Sequence, residues 1–143
     1  AIQDYERGIV IGQRTFGKGS VQNLFNLDRF MRAPGYGQLT LTIGKYYRVT
    51  GESTQHRGVV PDINLPSPID AAEIGESVRD SALEWDTIAT TRFRAGEPLD
   101  ATIQSLTSAH AARAKDDPNF RYLTQYIEEG AETRARKTVS LKI

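Results

Sequence analysis

Residues 38–49 alternate between polar and apolar side chains, a period of two that fits a strand and not a helix. The apolar positions of this stretch are Leu39, Leu41, Ile43, Tyr47 and Val49. Successive side chains of a strand point to opposite faces of a sheet, which explains the alternation. The chain must therefore contain a β-sheet, and residues 38–49 are predicted to form one of its strands.

Two further strands are predicted before this one. Ile9–Ile11 form a continuous apolar run, which is typical of a short parallel-type strand buried on both faces. Residues 20–27 are predicted to form a second strand, and residues 28–37, which contain proline and glycine, a loop. Residues 59–65 are predicted to be extended, although Pro61 cannot occupy a central position in a sheet.

After Pro66 the composition becomes typical of helices. Ile103, Leu106 and His110 fall on one face of a helix, so residues 102–115 are predicted to be helical. A tight turn is expected to follow this helix.

A second helix is predicted to begin at Pro118, because Asp117 is a favoured N-cap and proline is favoured at the first helical position. Its apolar stripe continues to Gly130, where the helix is predicted to end. Residues 138–143 alternate again and are predicted to form a terminal strand that returns to a sheet.

Residues 1–7 contain no initiator methionine and no signal-peptide pattern. Their composition fits the end of a helix whose beginning is missing. We therefore expect the chain to be a piece of a longer protein.

The chain has 143 residues, with 18 Lys and Arg against 18 Asp and Glu, so its formal net charge is zero. Residues 1–66 carry eight basic and five acidic residues, and residues 67–143 carry ten and thirteen. A dedicated nucleic-acid binder usually has a basic excess, so this class is disfavoured. The absence of cysteine excludes disulfides, thiolate zinc sites and a cysteine nucleophile. No apolar run approaches the ~20 residues that a membrane span needs.

Gly12–Gly19 nearly matches the phosphate-binding loop of nucleotide-binding proteins. That loop requires Ser or Thr directly after its lysine and a helix at that point, whereas Gly19 follows Lys18 and a strand is predicted next. Nucleotide binding is therefore disfavoured. A lysine between two glycines can instead serve as a general base, provided that its surroundings disfavour the ammonium form. A solvated turn lysine is the commoner alternative.

A set of motifs over the first half of the chain resembles the tail-specific, or carboxy-terminal processing, serine proteases of peptidase family S41. The motifs are Gln3–Gly8, Val10–Gly12, Thr15–Gln22, Lys45–Val49, Gly51, Ser53–Gln55 and Arg57–Ile63. A looser similarity to the C-terminal extension of the larger members covers Ala82–Asp86, Ala114–Pro118 and Val139–Leu141.

The resemblance implies an α/β fold in two parts. Residues 1–66 would be the C-terminal part of a protease core like those of ClpP and crotonase, built on a mixed sheet. Residues 67–143 would be a mostly helical C-terminal extension.

The family's site residues fall on three positions of this chain. Lys18 would be the general base that deprotonates the nucleophile, and Gln22 would orient that lysine. On a straight strand these two residues would lie ~13 Å apart, so Gln22 needs a bend at Gly19 to reach Lys18. Asp4 matches an acidic residue that helps the site in the tail-specific subgroup. Its alternative is a surface partner of a nearby cation, Arg7 or Lys18.

The resemblance also implies a function. The whole enzyme would cleave exported polypeptides that bear apolar C-terminal tails, in the bacterial periplasm or cell envelope. No metal or organic cofactor is implied, because Ser, Lys and backbone amides suffice for acyl transfer. The family's nucleophilic serine lies upstream of Ala1, and Ser20 is too far along a strand from Lys18 to replace it. We therefore expect these residues alone to lack peptidase activity.

An alternative of another class is a non-catalytic assembly module on a degenerate peptidase fold, in which residues 67–143 bind a partner or close a dimer. Either way, we expect an uncovered sheet edge in this chain, and self-association through it.

His56 and His110 have no ligand partners at metal-binding spacing and are predicted to be structural, as is Trp85.

Overall fold

The structure is a computed structural model that describes residues 1–141. Its elements in chain order are β1 (Ile11–Gly12), β2 (Ser20–Asn26), a 3-10 turn (Leu27–Arg29), β3 (Gln38–Lys45), β4 (Ile63–Asn64), a second 3-10 turn (Glu76–Val78), α1 (Asp100–Asp116) and α2 (Pro118–Ala135). Small mixed sheets thus precede two C-terminal helices, as expected for the end of an S41 core with a helical extension.

Strands β2 and β3 form an antiparallel pair in which Ser20 lies opposite Lys45 and Asn26 opposite Gln38. Both predicted strands are confirmed, although β3 ends at Lys45, four residues before the alternation does. The register shifts between Val21, which lies opposite Gly44, and Gln22, which lies opposite Thr42. Ile43 of β3 is therefore the extra residue of a bulge.

Strands β1 and β4 are parallel, with Ile11 opposite Ile63. A short parallel-type strand was predicted, and it is confirmed in a shorter form. Its predicted burial on both faces is wrong, because Ile11 is 55% exposed. Among the described residues β4 is the only strand beside β1, so one edge of β1 remains uncovered.

Both predicted helices are confirmed. The Asp117 side chain accepts hydrogen bonds from the backbone N–H groups of Asn119 and Phe120, so it caps α2 as the sequence predicted. The rings of His110 and Phe120 meet edge to face at 5.1 Å, which joins the apolar stripes of α1 and α2.

Two predictions about the C-terminal region are wrong. Helix α2 continues past Gly130 to Ala135, because good helix formers follow that glycine and it keeps an ordinary helical φ. Residues 136–141 form no strand; Val139 and Leu141 are 81% and 94% exposed, so this stretch finds no apolar surface to pack on. Residues 142–143 of the predicted strand lie outside the described residues.

The interior is polar rather than apolar. Ile63 is the one buried hydrophobic side chain within the described residues, whereas five polar residues are buried: Asp4, Ser53, Thr54, Gln55 and Glu76. Buried polar groups cost free energy unless they are hydrogen-bonded. Ser53, Gln55 and Glu76 have such partners, whereas Oγ1 of Thr54 has none. Within residues 1–141, neither helix is long and apolar enough to cross a membrane.

Candidate active site

The turn that carries Lys18 is clamped against residues 53–58. Gly17 has a φ of 90°, and a Cβ there would lie 2.8 Å from the carbonyl oxygen of His56. A Cβ on Gly19 would lie 2.6 Å from the backbone nitrogen of Gln55. Any side chain at either position would collide with backbone, so both glycines are required by the close approach.

Hydrogen bonds fix the same turn from both sides. The His56 N–H donates to the carbonyl of Gly17 at 2.8 Å, and the Gly19 N–H donates to Oε1 of the fully buried Gln55 at 2.7 Å. The Tyr46 hydroxyl donates to the backbone carbonyl of Lys18. The backbone at Lys18 is therefore held on three sides, which fixes where its side chain begins.

The Lys18 side chain is 42% exposed, and its Nζ lies 3.5 Å from Oε1 of Glu76. Glu76 itself is buried, with a side chain that is only 6% exposed. The Gln55 amide donates to the same Glu76 oxygen at 3.3 Å. The Lys18 side chain thus extends from a rigid turn, and its amine contacts a buried carboxylate.

Lys18 and Asp4 line one cavity of about 490 Å³, whose walls include Gly17, Tyr46 and Arg48. The cavity borders residues 1–7, which form turns closed by hydrogen bonds such as that from the Tyr5 N–H to the Ala1 carbonyl. These residues form turns rather than a helix. The structure therefore brings together two of the three predicted site residues.

Asp4 is paired with Arg48 rather than with Arg7 or Lys18. The guanidinium donates to Oδ1 of Asp4 from both Nε, at 2.7 Å, and Nη2. Burial acts to raise the pKa of Asp4, but these hydrogen bonds, those from the Ala1 amino group and the two positive charges outweigh it and lower the pKa. Asp4 therefore remains an anion beside Lys18's cavity.

Gln22 lies apart from these residues. It stands in β2 just beyond the bulge, and its amide donates to Oγ1 of Thr42 on β3 at 3.2 Å. Gln22 is not among the described residues that line the cavity of Lys18. The sequence required a bend at Gly19 for Gln22 to reach Lys18, whereas the irregularity of this strand pair lies beyond Gly19 and its extra residue is Ile43 of β3. The role of Gln22 stays a prediction.

Sequence reasoning missed Gln55 and Glu76 as part of the site. Gln55 belongs to the Ser53–Gln55 motif, and its place in a motif of the family resemblance could have indicated that it lies near the site. Glu76 has no local signal, because it is one of several acidic residues in a polar stretch and lies 58 residues from Lys18 along the chain.

Trp85 and the two histidines have structural surroundings. The Trp85 indole N–H donates to the carbonyl of Ser53 at 2.9 Å, and the Arg57 guanidinium lies 3.4 Å from the centroid of the ring. Trp85 therefore anchors both ends of the loop that clamps the lysine turn. His56 has a φ of 60° within that loop, and its backbone supplies the contact to Gly17.

Comparisons with known proteins cover nearly the whole chain. The family model of peptidase family S41 matches residues 1–65, and the model of the C-terminal domain of tail specific protease matches residues 69–143. The tail-specific protease of Haemophilus influenzae is 44% identical over 150 aligned residues, which cover 99% of this chain and 21% of that protein. The carboxy-terminal-processing protease of Bartonella bacilliformis is 41% identical over 69 residues, 48% of this chain and 14% of that protein. The chain thus spans about a fifth of the length of the Haemophilus relative.

Proposed function

The chain belongs to the tail-specific proteases of peptidase family S41, and from this premise we propose that it carries the general base of a serine endopeptidase with a Ser-Lys mechanism. The main support for the proposal is the position of Lys18. It lies on a turn whose two glycines pack against backbone, and its side chain lines one cavity with Asp4 and the segment of residues 1–7.

In the proposed mechanism the neutral Lys18 amine takes the proton of a serine hydroxyl, and the serine oxygen attacks the scissile carbonyl. The lysine then returns the proton to the leaving amine, and an acyl-enzyme forms. Water, deprotonated in turn by Lys18, hydrolyses the acyl-enzyme. The serine belongs to the part of the enzyme upstream of Ala1, so we propose that residues 1–143 alone have no peptidase activity.

A general base must be uncharged to accept a proton. Lys18 is partly exposed in this chain, so the proposal requires the rest of the enzyme and the bound peptide to exclude water from Nζ. The rigid backbone around Lys18 supports this role, because it lets the amine be placed within the ~3 Å that proton transfer needs.

Asp4 and Gln22 have supporting roles in the proposal. Asp4 and Arg48 fix the segment of residues 1–7 against the cavity, which would hold the preceding nucleophile in place. Gln22 would orient Lys18 only after its amide leaves Thr42, which requires a local rearrangement of β2.

We further propose that the substrates are exported polypeptides with apolar, unstructured C-termini, and that the enzyme acts in the bacterial periplasm or cell envelope. Ser, Lys and backbone amides suffice for this chemistry, so no cofactor is invoked.

The test uses the full-length protease that contains these residues. Degradation of an unfolded protein with an apolar C-terminus is compared between the parent, Lys18→Ala and Lys115→Ala, an equal charge change at an exposed position of α1. We expect Lys18→Ala to lose activity and Lys115→Ala to keep it. A Lys18→Ala variant that keeps most of the rate would refute the proposal and favour a non-catalytic role for the turn.

A further inference from the structure

Glu76 is a carboxylate buried where an isolated charge is costly. Its side chain is 6% exposed, and a buried anion persists only when cations and hydrogen-bond donors compensate it. Within the described residues, the cations within 4 Å of Glu76 are Lys18, at 3.5 Å from Oε1, and Arg79, at 4.0 Å from Oε2. Arg79 is mostly exposed, with a side chain that is 66% accessible. Lys18 is therefore the nearer cation to this carboxylate.

Two further contacts tie Glu76 to the lysine turn. The Glu76 N–H donates to the carbonyl of Phe16 at 3.0 Å. Gln55, which is fully buried, accepts from the Gly19 N–H and donates to Oε1 of Glu76. Gln55 thus connects the backbone next to Lys18 with the Glu76 carboxylate, which the Lys18 amine also contacts.

Glu76 lies in the part of the chain that matches the C-terminal domain of tail-specific proteases, whereas Lys18 lies in the part that matches family S41. We infer that Glu76 is a positioning residue for Lys18, through which the C-terminal domain completes the catalytic site of the peptidase core. The inference rests on the proposed function, since it assigns a role toward Lys18 as the base.

Glu76 also affects the charge of its partner. A negative charge beside an amine favours its ammonium form. A substitution that removes only the charge of Glu76 therefore tests whether this carboxylate acts on Lys18, whose Nζ lies 3.5 Å away. Among the described residues, the other titratable groups that line the cavity of Lys18 are Asp4, Arg48, Tyr46, Tyr47 and the amino group of Ala1. Asp4 is paired with Arg48. Glu76 is therefore the acidic group that contacts the Lys18 amine directly.

The decisive variant is Glu76→Gln in the full-length protease. Its Oε1 can still accept from both Lys18 and Gln55, so the geometry is kept and only the negative charge is lost. We expect the acid limb of the pH profile of kcat to move to lower pH, with little change at its plateau. Glu73→Gln is the matched control, because Glu73 carries the same charge but is 53% exposed and pairs with Arg134. It should leave the limb in place.

Arg79→Gln removes the other cation near Glu76, and it remains an informative variant if Glu76→Gln does not fold. Without Arg79, Lys18 is the one remaining cation that balances the Glu76 charge, so the acid limb should move to higher pH. Arg79→Gln in a Glu76→Gln background is the control: an effect of Arg79 that acts through Glu76 should disappear there, whereas a direct effect of Arg79 on Lys18 would persist.

Lys18→Ala separates this inference from the proposed function. If Lys18→Ala is inactive and the folded Glu76 and Arg79 variants share the pH profile of the parent, the role of Glu76 is refuted while Lys18 remains the base. If Lys18→Ala is active, the proposed function itself fails.

Discussion

The Arg48 guanidinium and the Asp4 carboxylate form a hydrogen-bonded ion pair that fastens residues 1–7 to the segment following β3. The Asp4 side chain is 1% exposed and that of Arg48 is 24% exposed. The pair thus lies at the inner wall of the cavity that Lys18 also lines.

Arg48→Met should lower the free energy of unfolding by roughly 2 kcal/mol, because it leaves the buried Asp4 without its main partner. The partial exposure of Arg48 makes this cost smaller than that of a fully buried pair. Denaturant unfolding measures the effect. In the double variant Asp4→Leu, Arg48→Met the loss should be smaller than the sum of the single losses, and additive losses would contradict a direct interaction.

Asp4 should also make stability depend on pH. Its pKa is lower in the folded state than the ordinary value, so its contribution is present above pH ~4 and is lost as pH falls through the lowered pKa. Asp4→Asn should therefore flatten the decrease in unfolding free energy as the pH falls below about 4. Asp28→Asn, which removes a carboxylate from the 3-10 turn after β2, provides the comparison for the effect of losing one acidic group. An equal decrease in the Asp4→Asn variant and the parent would contradict the assigned pKa shift.

The two glycines that flank Lys18 should be intolerant of alanine. Gly17→Ala and Gly19→Ala place a methyl group 2.8 Å and 2.6 Å from backbone atoms of His56 and Gln55, so the turn must move. A displacement of about 1 Å at a catalytic group can cost about 100-fold in rate. Both variants should therefore lose most of their peptidase activity. Gly44→Ala meets no atom within 4 Å and should keep its activity.

Trp85→Phe should destabilise the loop of residues 53–58. It removes the hydrogen bond from the indole N–H to the Ser53 carbonyl and reduces the stacking of Arg57, a loss of about 1 kcal/mol or more in unfolding free energy. Tyr122→Phe, on the exposed face of α2, should change stability by less than about 0.5 kcal/mol. Equal stability of the two variants would show that Trp85 is not the anchor of the loop.

Patterns within a few residues predicted much of this fold. The alternation in residues 38–49 gave β3, and Asp117 before Pro118 gave the start of α2, because strand periodicity and helix capping are local properties. The alternation in residues 138–141 gave a wrong strand, since a strand also needs a neighbouring strand, and local sequence does not say whether one is present.

The candidate site could be predicted only in part. The family resemblance assigned Lys18 and Asp4, and the structure places these two residues in one cavity. Glu76 reaches Lys18 from 58 residues away through the packing of a 3-10 turn against the lysine turn, and no periodicity or spacing encodes such a contact. The pairing of Gln22 with Thr42, next to the bulge of β3, is likewise a property of strand pairing rather than of the residue itself.

The central claim is that Lys18 is the base that activates the nucleophile, and the most direct measurement is the rate of acyl-enzyme formation in a single turnover. The full-length protease and its Lys18→Ala variant are mixed with an excess of an activated ester substrate, and the burst of the leaving group is followed. We expect the parent to form the acyl-enzyme and Lys18→Ala to form it at least about 100-fold more slowly. A burst in Lys18→Ala as fast as that of the parent would show that Lys18 is not the base.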